Sequence, residues 1–340
     1  MHGYYSQEFS SPLKTSASCS IAFHSLFRDS LHTSETKSTP WNVQSLQILG
    51  PASRASVYPN SSRIYHLPYI REVEWIPKGP VTLDVTPITA GQLAALAPFT
   101  QFARAAYCPS DRIAEWTCGE ACNAIPGFEP TWASGDGSGV QLYPTHLLSM
   151  LTDIRVFRRP LDQKLFPGVP SNIHVHGGFG HEHAKTAVTT LKKVEAIISS
   201  KNATSVVLVG HSLGGALAEL GALYMSLNLP SHIRIKAVTF GTPRVGNQAF
   251  ASYFDARVID FSRVNNKKDF IPILPRLHLG FEHPRGEIHI VSPNNAFACS
   301  GNEAVEAECT KGTVPDIFWG NILDHLGPYQ GIKIGTIYCK

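Results

Sequence analysis

The stretch Ser205-Val206-Val207-Leu208-Val209 is uninterrupted apolar chain that stops at Gly210-His211-Ser212-Leu213-Gly214 and resumes as an Ala- and Leu-rich run from Gly215 to about Asn228. Few architectures accept such a sequence. A short apolar run bounded by glycine suits a strand buried on both faces, as in a parallel sheet covered by helices on either side. Glycines flanking Ser212 relieve crowding in a sharp strand-to-helix turn, where bulkier neighbours would clash. The alternation continues with a strand from Ile233 to Phe240, a helix from Asn247 to Phe254 and a strand from Arg257 to Val264. Upstream, Ser171 to His176 reads as a strand ending at Gly177-Gly178-Phe179, and His183 to Ser199 as a helix. Strands alternating with helices predict an α/β fold with a central, mostly parallel sheet between helical layers.

The first part of the chain lacks this order. Residues 1–85 are rich in Ser, Thr, Pro and Tyr, with Pro59, Pro68, Pro77 and Pro80 as punctuation, and are expected to form an irregular or disordered extension. The globular domain is expected over residues 86–340. Thr86-Pro87 opens it, and Leu93, Ala94, Leu96, Ala97, Phe99, Phe102, Ala103 and Ala106 follow at helical spacing with a break near Pro98. Residues 108–137 read as loop, Val140 to Tyr143 as a short strand, and Thr145 to Thr152 as an amphipathic helix, either packed in the core or acting as a mobile lid.

Composition narrows the function classes. The formal charge of +3 is small and basic residues are scattered among acids, so a nucleic acid partner is not expected. No apolar window is long enough for a transmembrane segment. Seven cysteines form no CxxC pair and no Cys/His set with zinc spacing, so neither a metal nor another cofactor is expected. Six of them lie after residue 100, which fits three disulfides in an oxidising compartment. Asn60 and Asn202 head Asn-x-Ser/Thr sequons, while residues 1–30 show no ordered signal-peptide pattern.

A serine hydroxyl is a weak nucleophile at neutral pH and needs a base, which in turn needs a carboxylate to fix its tautomer. After a strand-turn-helix serine, the partners follow in the order acid, then histidine. The downstream acids are Asp255, Asp260, Asp269, Asp316 and Asp324, and the histidines are His278, His283, His289 and His325. Asp269 follows the strand from Arg257 to Val264 in a loop, at the carboxyl edge where such sheets place functional groups. His325 lies latest, between Gly320 and Gly327.

These residues resemble the fungal class 3 lipases, a group of secreted α/β-hydrolases that includes triacylglycerol lipases and feruloyl esterases. Four stretches carry the resemblance: Gly210-His211-Ser212-Leu213-Gly214-Gly215-Ala216, Phe240-Gly241-Thr242-Pro243-Arg244-Val245-Gly246-Asn247, Arg263-Val264-Asn265-Asn266-Lys267-Lys268-Asp269-Phe270-Ile271-Pro272, and Asp324-His325. The resemblance implies an α/β-hydrolase fold and a carboxylic ester hydrolase, a lipase acting on acylglycerols as a secreted monomer at a lipid–water interface. It implies Ser212, Asp269 and His325 as catalytic triad, and disulfides joining Cys108 to Cys339, Cys118 to Cys122 and Cys299 to Cys309. It further implies an oxyanion donor at Leu213 and a lid carrying Thr145, Leu147, Leu148, Met150 and Leu151, with Thr145 as a candidate substitute for the second oxyanion donor.

The chain departs from this pattern at one place. Between Tyr143 and Pro144 roughly twenty residues of the family pattern, about one strand and its turn, are missing. With them goes the turn that supplies the second oxyanion donor, a loss of roughly 3 to 4 kcal/mol of transition-state stabilisation. The competing expectation is therefore a catalytically impaired homologue or a mis-spliced gene model, with one sheet strand missing and a ladder edge exposed. His176-Gly177-Gly178-Phe179 is similar to the HGGG-type oxyanion segment of other esterases and offers an alternative donor, against a plain packing role.

Overall fold

A computed structural model describes residues 20–23, 85–133 and 157–339. In chain order it contains β1 (Ser20–Phe23), β2 (Val85–Pro87), α1 (Ala90–Ala94), α2 (Ala97–Ala105), α3 (Ser110–Ala114), α4 (Glu120–Asn123), β3 (Arg158–Pro160) and β4 (His174–His176). There follow α5 (Gly177–Lys201), β5 (Ser205–His211), α6 (Leu213–Asn228), β6 (Arg234–Phe240), α7 (Gln248–Arg257), β7 (Asp260–Asn266), β8 (Glu287–Ser292), β9 (Asn295–Cys299), α8 (Thr310–Thr313) and α9 (Ile322–His325). Val140 to Tyr143 and the helix at Thr145 to Thr152 lie outside the described residues. Contacts divide the chain into Met1–Leu26 with Leu83–Lys340, and Phe27–Thr82, the latter again outside the described residues.

Seven strands form one sheet in the order β1-β5-β6-β7-β8-β9-β2. Strands β5 to β8 run parallel, while β1, β9 and β2 are antiparallel to their neighbours. Strand β5 shows why a continuous apolar run was needed. Val206 and Leu208 point into one core with α5, α6 and α7, and Val207 and Val209 into another with α1, α2 and Tyr329. Helix α6 is buried from Gly214 to Met225, as expected of a helix apolar on all sides.

Several boundaries differ from expectation for local reasons. The domain's first helix is capped by Thr89, whose side chain accepts from Gln92 N, so Thr86-Pro87 stays extended in β2. Pro98 sits in the first turn of α2, where a missing N–H costs little. Helix α5 begins at Gly177, ahead of His183, because His176 Nδ1 accepts from the amides of Gly178 and Phe179 at 3.1 and 3.4 Å. That cap engages the His176–Phe179 segment and leaves it no free amide of these two for an oxyanion. Strand β7 starts at Asp260 because α7 continues through Arg257. Residues 108–137, read as loop, contain α3 and α4, with Cys118 joined to Cys122.

The edge that a missing strand would expose is paired. Ser20 to Phe23, within the stretch expected to be irregular, form β1 antiparallel to Val206 to Val209. An unpaired outer edge of β5 presents amides and carbonyls that an extended segment can satisfy.

Among the buried groups without a hydrogen-bond partner is a carboxyl. Glu219 on α6 is fully buried, and neither carboxylate oxygen has a hydrogen-bond partner. Burial pushes its pKa up from 4.5 to about 8, with Arg263 opposing and Asp255 adding to the shift. The native state thus keeps a proton that the unfolded chain releases above pH 4.5, so this carboxyl removes stability as pH rises from 4.5 towards 8.

Two measurements check these points. In thermal melts from pH 5 to 8, Glu219→Gln should gain stability over the wild type as pH rises, approaching a few kcal/mol at the upper end at about 1.4 kcal/mol per pH unit. Removal of residues 1–26 should lower the melting temperature and raise dye binding to exposed apolar surface, since it strips the β1 partner from β5.

Candidate active site

The turn at Ser212 is built by glycines that let backbones touch. Ser212 has φ 57° and ψ −126°, a left-handed conformation costly for a residue with a side chain. A Cβ at Gly210 would strike the carbonyl of Gly214, and one at Gly215 would strike Thr242 Oγ1. Ser212 N donates to Phe240 O at 2.9 Å, which ties the turn to the end of β6. Leu213 is the first residue of α6, so its amide lies in the turn where a helix leaves N–H groups without intrahelical partners and favours negative charge.

The loop after β7 and the short helix α9 bring a carboxylate and an imidazole together near this turn. Asp269 follows β7 and is fully buried; its Oδ1 accepts from Ile271 N at 2.9 Å. Its Oδ2 lies 2.8 Å from His325 Nδ1. A carboxylate only accepts, so Nδ1 donates, and the neutral ring keeps its lone pair on Nε2. That Nε2 is buried without a hydrogen-bond partner, so no bond joins it to the Ser212 hydroxyl in this structure. His325 closes α9, where the sequence suggested only loop.

The other candidates are committed elsewhere. Asp255 pairs with Arg285, Asp260 with Lys236, Asp316 caps the turn Ile317–Trp319, and Asp324 Oδ2 accepts from Lys268 N. His283 Nε2 is bonded to Pro272 O, and both nitrogens of His289 meet carbonyls, of Glu308 and Lys267. His278 sits in the turn Leu277–Leu279. Cys108–Cys339, Cys118–Cys122 and Cys299–Cys309 are joined as disulfides. Glu287 approaches Cys299 and Cys309, but those sulfurs are bonded to each other and offer no thiolate to a metal. Thr145, Leu147, Leu148, Met150 and Leu151 lie outside the described residues.

Some residues at the site were not singled out from sequence. Gly241, at φ 53°, passes so close that a Cβ would lie 2.7 Å from Asp269 Oδ2 and 2.8 Å from His325 Nδ1 and Tyr329 Oη. Tyr329 Oη donates to His325 O at 3.2 Å, and burial, reinforced by Asp269, raises its pKa well above the usual value, so it stays a neutral donor. His211 packs its ring 4.4 Å from that of His325 and contacts Tyr107. Gly241 and His211 lie within the stretches that carry the resemblance, without a role of their own, while Tyr107 and Tyr329 had no such signal.

Known proteins share this arrangement of chain. The family model for Lipase (class 3) matches residues 145–279. A secreted mono- and diacylglycerol lipase, MDL3, of Malassezia globosa is 32% identical over 225 residues, covering 60% of this chain and 72% of that protein. A further Malassezia globosa lipase of this kind, MDL5, is matched over 61% of its length at 32% identity. Lipase II from Rhizopus niveus superposes with a TM-score of 0.62 at 25% identity, covering 76% of this chain and 100% of that one. The chain belongs to the class 3 lipase family and has the α/β-hydrolase fold. It is a serine ester hydrolase of the lipase type.

Gly241→Ala should cost activity on the order of 100-fold, because an added methyl displaces the Asp269–His325 pair by a fraction of an ångström or more. Initial rates on a soluble p-nitrophenyl ester, beside a circular dichroism check of folding, measure it.

Proposed function

We propose that Ser212, Asp269 and His325 form the catalytic triad of a secreted, monomeric lipase that cleaves acylglycerol esters at a lipid–water interface. The observation that carries this reading is the buried 2.8 Å bond from His325 Nδ1 to Asp269, which leaves Nε2 as an unpartnered base beside the serine turn. In acylation, Ser212 Oγ attacks the ester carbonyl while His325 Nε2 takes its proton, and Asp269 stabilises the imidazolium. The Leu213 amide faces the developing oxyanion, aided by the N-terminal end of α6. The imidazolium then protonates the departing alcohol, and water activated by His325 releases the fatty acid. Thr145 completes the oxyanion hole in this reading.

Secretion is supported by the three disulfides and by relatives described as secreted lipases. The interface is supported by an apolar surface next to His325. Phe318, Trp319 and Leu323 are 87%, 61% and 65% exposed on the segment leading into it, where a water-facing protein would place polar groups.

Ser212→Ala should abolish hydrolysis of short and long p-nitrophenyl esters and stoichiometric labelling by an organophosphate; equal rates for both proteins, or no labelling of the wild type, would favour the impaired homologue. Replacing Phe318, Trp319 and Leu323 together by Ser should lower the rate on emulsified acylglycerol on the order of tenfold, with little change on a soluble ester.

A further inference from the structure

Two groups beside the site take no part in the acyl-transfer steps. Tyr107 Oη lies 2.6 Å from His211 Nδ1, and His211 Nε2 lies 2.7 Å from the main-chain oxygen of His325. The direction of both bonds follows from chemistry. A carbonyl oxygen only accepts, so His211 Nε2 carries the hydrogen; in the neutral ring Nδ1 then holds a lone pair, and the Tyr107 hydroxyl must donate to it.

We propose that Tyr107 and His211 are positioning residues that act in series on His325: Tyr107 donates to His211 Nδ1 and fixes the orientation of that ring, and His211 holds the His325 main chain so that its ring keeps the register set by Asp269. The inference rests on reading His325 as the catalytic base. It explains why a polar residue directly before Ser212 is buried to 4% exposure at the end of an otherwise apolar strand.

The arrangement persists only while His211 stays neutral. Its proton affinity is held well below the ordinary histidine value, first by burial and then by the neighbouring His325. With ring centres 4.4 Å apart, a charge appearing on His325 during catalysis discourages a second charge on His211. Tyr107 is itself anchored. The next residue, Cys108, is joined to Cys339, and Arg104 one turn earlier donates to Tyr338 O at 2.7 and 3.0 Å.

Without the Tyr107 hydroxyl, His211 Nδ1 is left buried with no donor, and the ring loses the bond that fixes its orientation against the His325 carbonyl. Tyr329 also donates to this carbonyl, at 3.2 Å, so the loss weakens the hold on His325 without releasing it.

The test uses the full chain and a soluble p-nitrophenyl ester. Tyr107→Phe should lower kcat on the order of tenfold and leave KM unchanged, with folding retained as a single cooperative melt at a somewhat lower temperature. His211→Gln, whose amide N–H can stand where the imidazole Nε2–H stood, should keep kcat within about threefold; His211→Leu, with no donor, should lose on the order of 100-fold. A wild-type kcat for Tyr107→Phe, or equal rates for the Gln and Leu variants, would overturn the proposal. A second readout does not depend on turnover: nitrogen NMR of His211 should report the Nε2–H tautomer in both proteins, with the Nδ1 resonance shifted in Tyr107→Phe by loss of the hydroxyl's hydrogen bond. An Nδ1–H tautomer in the wild type refutes the relay, whereas an inactive wild type with the Nε2–H tautomer refutes only the catalytic reading of the site.

Discussion

A serine side chain is held in a left-handed turn, and the turn exists because the backbones around it have no Cβ atoms in the way. Gly210 lies against the carbonyl of Gly214, Gly215 against Thr242, and Gly241 against Asp269, His325 and Tyr329. These approaches let α6 close onto the ends of β5 and β6, where Ser212 N donates to Phe240 O at 2.9 Å, and let the Asp269–His325 pair lie against Gly241. Strain at Ser212 costs of order 1–3 kcal/mol, and the buried cores on both faces of the sheet hold it in place. Aligned parallel strands then set the site's location, since Ser212 follows the carboxyl end of β5 and Asp269 that of β7, with β6 between them in the same parallel sheet.

Buried charge is arranged differently at the site and away from it. Arg244 meets Glu303 at 2.6 Å and Arg263 meets Glu287 at 2.9 Å, each pair almost fully enclosed around a small cavity also lined by His283 and Thr310. Burial alone would raise the Glu303 pKa, yet its bonds to Arg244 and nearby positive groups bring it down to about 2. Those pairs neutralise each other and leave nothing to react. At the site, by contrast, Asp269 is satisfied by Ile271 N and His325, while His325 keeps one nitrogen without a partner. A buried polar atom left unpartnered is a cost in a structural core, and on the proposed reading of His325 it is what a base requires.

Closure of the sheet depends on segments distant in sequence. Strand β2 covers β9 on one side and β1 covers β5 on the other, so both outer positions are filled from the chain's first 87 residues. The disulfides work over very different spans: Cys118–Cys122 staples a local turn, whereas Cys108–Cys339 bridges 231 residues and fixes the chain's end beside α2. Longer loops gain more from such a bridge because closing them removes more chain entropy.

The sequence by itself determined the α/β alternation, the apolar strand β5, the serine turn and the acid loop, because each is a local pattern: a run, a period or a pair of glycines. Boundaries such as the start of α5 at Gly177 were hidden, since a glycine-rich first turn carries no apolar periodicity and its cap is a histidine side chain. The sequence also offered several acids and histidines and could rank them only by position. Tertiary structure separated them, by committing Asp255, Asp260, His283 and His289 to other partners and setting Asp269 against His325. It alone decided that Ser20–Phe23 would pair with β5, that Gly241 would leave room for the buried pair, and that Tyr107 would reach His211 across 104 residues. Such contacts depend on distances between segments far apart in the chain, and no local pattern of residues encodes a distance.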